Sequence, residues 1–338
     1  MSLPIVTLSP SETNYIITSL SHQTTPTRAD LRSPLASRPI EISYGVFPHA
    51  NGSARVNVGG TEVIAGIKLE VVDVKGKEKQ GEESWRSRVE VDVTPQAFPT
   101  AQSSTLSTVS TQLASFISTH FTPSISALPI VPNQKYFQAN IHLTVLSSNG
   151  NVPTSLILAA RAAFADLQVP KTKVITWTGT DAGGEDGSGA GVGADGVMGK
   201  GDLSGIKAAI QVGKGKGKGK YVARGGEDWD LDMDDGEGTE YLNGRESLPV
   251  LVTLNLVPNS PNIFLDATPQ EESGCPSRLH LFFRPRAGEK TGDAGLTICG
   301  MRMEGPEGLD SGRVRGLVEQ GSKIALELLE EVNKSIPQ

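Results

Sequence analysis

Few residues of this sequence fall into a spacing that does chemistry by itself. Gly191-Val-Gly-Ala-Asp-Gly196 has the G-x-G-x-x-G form of a dinucleotide loop, but it follows no strand and lies in a glycine repeat, so it reads as chance. A phosphate loop needs G-x-x-x-x-G-K-[ST]. Before Gly199-Lys200 the required glycine is Ala194, and Gly201 stands where the hydroxyl belongs. Asp230, Asp232 and Asp234 imitate the start of a calcium loop. The turn glycine comes one residue late, at Gly236, and position twelve is Tyr241, so a solvated acidic run is the reading. His22, His49, His120, His142 and His280 show neither H-x-x-x-H nor H-E-x-x-H spacing, and no metal site is expected. No G-x-S-x-G is present to build a nucleophile elbow. Cys275 and Cys299 are too few for a zinc ribbon or a disulfide framework and read as free thiols in a reducing compartment.

The elements that would position any site are more legible. Ser9-Pro10-Ser11-Glu12 opens a short helix: Ser9 caps, Pro10 takes the first position and Glu12 the third. Residues 22–38 are polar, carry Pro26 and Pro34, and read as an arm. From residue 40 the apolar period becomes two. Segments 40–47, 53–58, 62–74 and 87–93 predict a meander of four antiparallel strands, with Asn51-Gly52 and Gly59-Gly60 as turns and Lys75–Ser84 as a charged tip. Residues 103–121 place Leu106, Val109, Leu113, Phe116, Ile117 and Phe121 at helical spacing. A long strand over 135–147, a nearly all-apolar helix over 155–168 capped by Thr154, and a strand over 173–177 complete a first α+β unit.

Glycine then dominates. About half of the 38 glycines lie in residues 179–244, together with the basic run Gly213–Lys220 and an acidic stretch after it. Such composition buries too little apolar surface to offset ordering entropy, so disorder is expected there, with the basic and acidic runs screening each other. Strands over 249–257, 262–267, 278–284 and 295–303 follow. A C-terminal helix capped by Asp310 or Ser311 presents Val314, Leu317, Val318, Ile324, Ala325, Leu328, Leu329 and Val332. The domain reading is 1–27 N-terminal helix and arm, 28–177 first half, 178–246 insertion and 247–338 second half. The net charge of −7 argues against a generally basic RNA-coating protein but leaves room for a local basic groove. No window holds 18 apolar residues, so no membrane partner is expected. The opening residues lack the basic and apolar regions of a secretory signal, which makes cytosol or nucleus the default.

The blocks Arg28-Ala-Asp-Leu-Arg32, Arg38-Pro-Ile-Glu-Ile-Ser and Gly52 through Lys68-Leu-Glu, followed by Ala159-Ala-Arg-Ala-Ala-Phe-Ala-Asp and Val257 through Asp266 to Glu272, resemble the RNase PH family in order and spacing. The likeness runs over about residues 10–175 and 247–335. It implies an RNase PH-like α+β fold of two βαβ-type halves with a long glycine-rich insertion. It also implies a place in the exosome's hetero-hexameric ring of RNase PH-like subunits, around an RNA channel, with cap subunits and an associated exoribonuclease. Localisation to nucleus, nucleolus and cytoplasm, and work in ribosomal RNA maturation and RNA turnover, come with it. No cofactor is implied.

The family's ancestral reaction is phosphorolysis of the 3′ end of RNA, and the resemblance sets three requirements. Active members carry an arginine pair near the helix after the first meander; here no Lys or Arg occurs between Arg88 and Lys135. Active members place further Asp residues after the acidic pair; here Glu271-Glu272 is followed by Ser273, Gly274, Cys275, Pro276, Ser277 and Arg278. Active members hold phosphate with a Ser-Arg pair at the start of the last helix. Here Asp310 at the cap would take the free amides itself and repel an anion, leaving Arg313 alone. A non-catalytic subunit with no catalytic residue is therefore expected. Asp266, Glu271 and Glu272 then read as a solvated polar turn. Arg55, Lys68 and Arg161, in the family-like blocks, are the candidates for RNA contact. The competing reading is a phosphate-dependent 3′–5′ exoribonuclease, active alone or sharing a site with a partner.

Overall fold

The computed structural model describes residues 6–74, 86–132, 134–175, 228–232, 238–286, 295–306 and 308–337. The chain divides into a large unit, 1–173 with 231–338, and a small one, 174–230, of which only the ends are described. The Gly213–Lys220 run, most of the expected insertion and the 75–84 tip lie outside the described residues.

The large unit begins with helix α1, Pro10–Ser21, whose Ser9 and Glu12 form the expected capping box. Strands β1 (Ile40–Tyr44), β2 (Gly52–Val58) and β3 (Thr61–Asp73) follow as an antiparallel meander. Gly59 and Gly60 turn between β2 and β3 with φ of 54° and 93°, which suits residues lacking a Cβ. The meander stops at three strands. The expected fourth, β4 (Ser87–Val93), does not pair with β3; β6 (Lys135–Ser147) lies between them, antiparallel to β3 and parallel to β4. Two features of the chain explain this. The helix α2 (Ser103–His120) supplies the crossover that parallel neighbours need. Charged Arg88, Glu90 and Asp92 alternate along β4 and suit an edge, whereas β6 buries Phe137, Ala139, Ile141, Leu143 and Val145 and suits the middle. A short strand β5, Leu128–Val131, pairs with β6 and is not foreseen by the pattern.

Helix α3, Val152–Ala165, is buried along nearly its whole length between the first sheet and the second. Its cap is Asn151 in the left-handed region at φ 55°, so Thr154 lies inside the helix and not at its cap. Pro153 fits the first turn, and Asn tolerates the left-handed conformation, which moves the start forward. A Cβ on Gly52 would come within 2.5 Å of the Ala163 carbonyl oxygen, so α3 can lie this close to β2 only over a glycine. After β7 (Gln168–Pro170), short strands β8 (Thr172–Ile175) and β9 (Asp228–Leu231) bracket the insertion. Structure returns before residue 247. Strand β10 (Thr239–Tyr241) pairs with β7, Leu242 is buried, and Arg245–Ser247 form a 3-10 turn.

The second sheet has the order β12-β11-β13-β14, from β11 (Val250–Leu256), β12 (Ile263–Phe264), β13 (Arg278–Pro285) and β14 (Leu296–Glu304), all antiparallel. The strand expected over 262–267 shrinks to two residues because Asp266 turns the chain at φ 47°. The polar turn expected next is a helix, α4, Pro269–Gly274, with Thr268 and Glu271 as its capping box. The last helix, α5 (Ser311–Lys334), lays Leu317, Gly321, Ala325, Leu329 and Val332 against β11 and β13. Asp310 is its cap, as the sequence predicts.

Candidate functional site

Among the described residues, the densest charge gathers where the arm meets the β12–α4 corner. Arg28 donates Nε to Glu271 Oε1 at 2.8 Å and Nη2 to Glu271 Oε2 at 2.5 Å. The same guanidinium reaches the carbonyls of Leu265 and Asp266 and lies over the Phe264 ring. Asp266 is held harder. Its Oδ2 accepts from Arg38 N at 2.8 Å, Arg38 Nε at 2.6 Å and Arg32 Nη1 at 3.0 Å; its Oδ1 accepts from Arg38 Nη2 at 2.6 Å and Asn151 Nδ2 at 3.0 Å. Glu272 Oε1 accepts from the Asn151 amide at 2.9 Å and from Arg278 Nη1 at 3.1 Å, so a carboxylate occupies the N-terminus of α3.

The three carboxylates are therefore buried and not solvated, with Asp266 and Glu271 each 3% exposed. Burial alone would raise the pKa of Asp266, but the hydrogen bonds and charge of Arg38 outweigh it and hold the carboxyl below its ordinary value. Burial wins at Glu272 and pushes it up, against the pull of Arg278 and the Asn151 amide. Asp266 and Glu271 spend both carboxylate oxygens on guanidinium or amide donors, and Glu272 commits its Oε1. That geometry closes a fold. A carboxylate that must bind a metal or move a proton on a substrate needs a free, reachable oxygen.

A groove of about 580 Å³ runs between β4 and α2. Glu90, Asp92, Ser103, Ser107, Ser110 and Thr111 line it, and among the described residues no cation does. Arg88 at its margin is bound to Glu90 at 2.8 Å. Phosphates gain nothing from such walls. At the start of α5, Asp310 Oδ1 accepts from the Gly312 amide at 3.4 Å, and Arg313 Nη2 is committed to the Pro261 carbonyl at 2.7 Å.

The three candidates for RNA contact do not form one site. Arg55 on β2 and Lys68 on β3 are exposed on the outer face of the first sheet, away from α2 and α3. Arg55 is bound to Glu62 at 2.5 Å. Arg161 is a different case and the RNA expectation for it fails. It is 1% exposed, and it donates to the carbonyls of Leu248 and Glu246 and to Asn333 Oδ1. Burial pushes its guanidinium down to about 10. It braces α3 against the C-terminal helix. The sequence carried the signal, since an arginine inside Ala-Ala-Arg-Ala-Ala-Phe-Ala on an all-apolar helix has nowhere to go but inward. A second buried polar group escaped the sequence reading. His280 is 0% exposed; its Nδ1 meets Thr253 Oγ1 at 3.0 Å and its Nε2 faces Glu304 Oε2 at 3.5 Å.

With this geometry in hand, the likenesses to other proteins become specific. Residues 36–170 match the family model described as 3′ exoribonuclease family, domain 1, RNase PH. Over those residues the chain is similar to the RNase PH family. Over 152 residues it is 31% identical to the "Exosome complex component Rrp42" of Sulfurisphaera tokodaii, which covers 44% of this chain and 54% of the relative. Against the protein of the same name from Thermococcus gammatolerans it is 33% identical over 156 residues, 45% of this chain and 56% of the relative. The match thus spans about half the length of these archaeal relatives. A "Putative exosome complex exonuclease RRP42" of Dictyostelium discoideum is 21% identical, with 98% of both chains covered. Among solved structures, a chain of the Archaeoglobus fulgidus exosome with RNA bound to the active site superposes with a TM-score of 0.58 at 18% identity, covering 97% of this chain and 98% of that one. At that identity the likeness is one of fold.

Proposed function

We propose that this chain is a non-catalytic, structural subunit of the RNA exosome core ring. In this reading it joins other RNase PH-like subunits in a hetero-hexamer with cap subunits and an associated exoribonuclease. It supports 3′–5′ RNA degradation and processing, ribosomal RNA maturation included, by forming part of the RNA channel in nucleus, nucleolus and cytoplasm. The names of the archaeal and Dictyostelium relatives support the exosome assignment. One observation carries the structural role: both oxygens of Asp266 and of Glu271 are taken by Arg28, Arg32, Arg38 and Asn151, and Glu272 Oε1 by Arg278 and the Asn151 amide, so the acids of this corner serve the fold. The cation-free groove beside α2 favours the same reading. Native mass spectrometry of the tagged protein purified gently from its own cells tests it. A ring holding several different RNase PH-like chains is expected. A ring built from this chain alone, or alternating with one partner, would favour catalysis here.

The competing reading, a phosphate-dependent 3′–5′ exoribonuclease alone or with a partner, draws on the family description and on the word exonuclease in the Dictyostelium relative's name. For it to hold, a neighbouring chain would have to supply the cations that the β4–α2 groove lacks.

A further inference from the structure

We propose that strand β14, Leu296–Glu304, is a pairing edge that adds a β-strand from a neighbouring RNase PH-type chain. The inference rests on the ring assignment above and names the surface that would serve it. Five strands lie at the edges of the two main sheets among the described residues: β1, β4, β5, β12 and β14. Exposed backbone edges invite pairing with other chains, and proteins blunt the ones that must stay free. Four of these five are blunted, β5 by its four-residue length and Pro129. β4 alternates exposed Arg88, Glu90 and Asp92. β1 is five residues long, carries exposed Glu41 and follows Pro39. β12 is two residues long, and the next amide, Leu265, already donates to the Pro34 carbonyl at 2.8 Å.

β14 lacks the shortness, the proline and the alternating exposed charges that blunt the other edges, although a β-bulge interrupts its register with β13 at Phe282/Phe283. It is nine residues long, contains no proline and no lysine, and ends the sheet. Its one arginine, half-exposed Arg302, lies 5.5 Å over the Phe116 ring and binds Glu304 at 3.1 Å. On the face shared with α5, which covers β11 and β13, Ile298 is 41% and Met301 52% exposed. At the hairpin end, Arg284 and Arg286 are exposed and have no ion-pair partner among the described residues. The complement is an extended strand with apolar side chains against Ile298 and Met301 and carboxylates toward Arg284 and Arg286. Main-chain hydrogen bonds would supply affinity and the apolar contacts register.

Amide hydrogen exchange over 296–304, measured on the isolated full chain and on the complex purified from its cells, tests this directly. The expected result is exchange slowed by about tenfold or more in the complex, as for amides entering a ladder. The variant Ile298→Lys/Met301→Lys should melt like the wild type, because both side chains are solvated, yet fail to bring down RNase PH-like chains. Tyr15→Lys, at an exposed apolar position on α1, should assemble normally. Assembly of the lysine variant with unchanged β14 exchange would overturn the inference and leave the ring assignment standing. Protection of β14 in the dilute isolated chain, or only on its self-association, would also overturn it. A wild-type protein that assembles with no RNase PH-like chain would sink the ring assignment, and this inference with it.

Discussion

Arg28 and Glu271 are 243 residues apart in sequence and meet in a two-pronged ion pair, with both side chains almost fully buried. The pair fastens a polar arm, which has few apolar residues of its own, to the corner that follows β12. Such a contact holds the fold in one register; removing one partner is costly because the other charge is left buried and alone. Arg28→Met should therefore lower unfolding stability by about 3–5 kcal/mol, read from urea denaturation. The double variant Arg28→Met/Glu271→Leu should recover much of that loss. Equal stability of the single variant and the wild type would show that the pair contributes nothing.

Stability should depend on pH through His280. Burial lowers its pKa from the ordinary 6.5, and Glu304 only partly opposes this. Between the folded pKa and 6.5 the unfolded chain binds more protons, so stability is flat above about 6.5 and falls as the pH drops below it. Asp266 and Glu304, both held below their ordinary values, add further loss at lower pH, beneath 3.8 and 4.5. Glu272, raised, works the other way: its contribution grows as the pH falls through its folded pKa toward 4.5. Urea midpoints for wild type and His280→Gln at pH 7.5 and 5.5 separate these groups. The wild type should lose more stability than the variant over that interval.

The basic residues should divide by burial. Arg161→Ala strands the Leu248 and Glu246 carbonyls and Asn333, and each buried acceptor left unpaired costs about 1–3 kcal/mol. A clear drop in melting temperature is expected. Arg55→Ala and Lys68→Ala, on a solvated sheet face, should change stability by no more than about 0.5 kcal/mol. If the outer face lies on the RNA path, each should weaken RNA binding by the assembled complex and reduce its salt slope by about one. Unchanged slopes for both variants would remove them from that path.

Much of the scaffold was legible in local pattern. The capping box at Ser9–Glu12, the period-two runs of β1 to β3, the stripe of α2 and the Asp310 cap all depend on residues a few positions apart. What local pattern does not encode is which strand neighbours which, so β6 enters between β3 and β4 without a signal in either strand alone. The start of α3 escaped because the rarer left-handed Asn151 takes the place a threonine usually holds. Asp266 and Glu271 look solvated in sequence because their arginines lie more than two hundred residues upstream. Besides the buried Arg161, Thr268-Pro269-Gln270-Glu271 was an overlooked local cue, a capping box in plain form.

The central claim is that this chain contributes structure and not catalysis, and phosphorolysis tests it most directly. The purified chain, and the complex rebuilt with either wild-type or Asp266→Asn protein, would be given RNA with a free 3′ end and inorganic phosphate, and released nucleoside diphosphates measured. The account predicts none from the isolated chain and, with equal amounts of assembled complex, no phosphate-dependent release that differs between the two forms. Phosphate-dependent release by the isolated chain, abolished by Asp266→Asn while the variant stays folded, would contradict it.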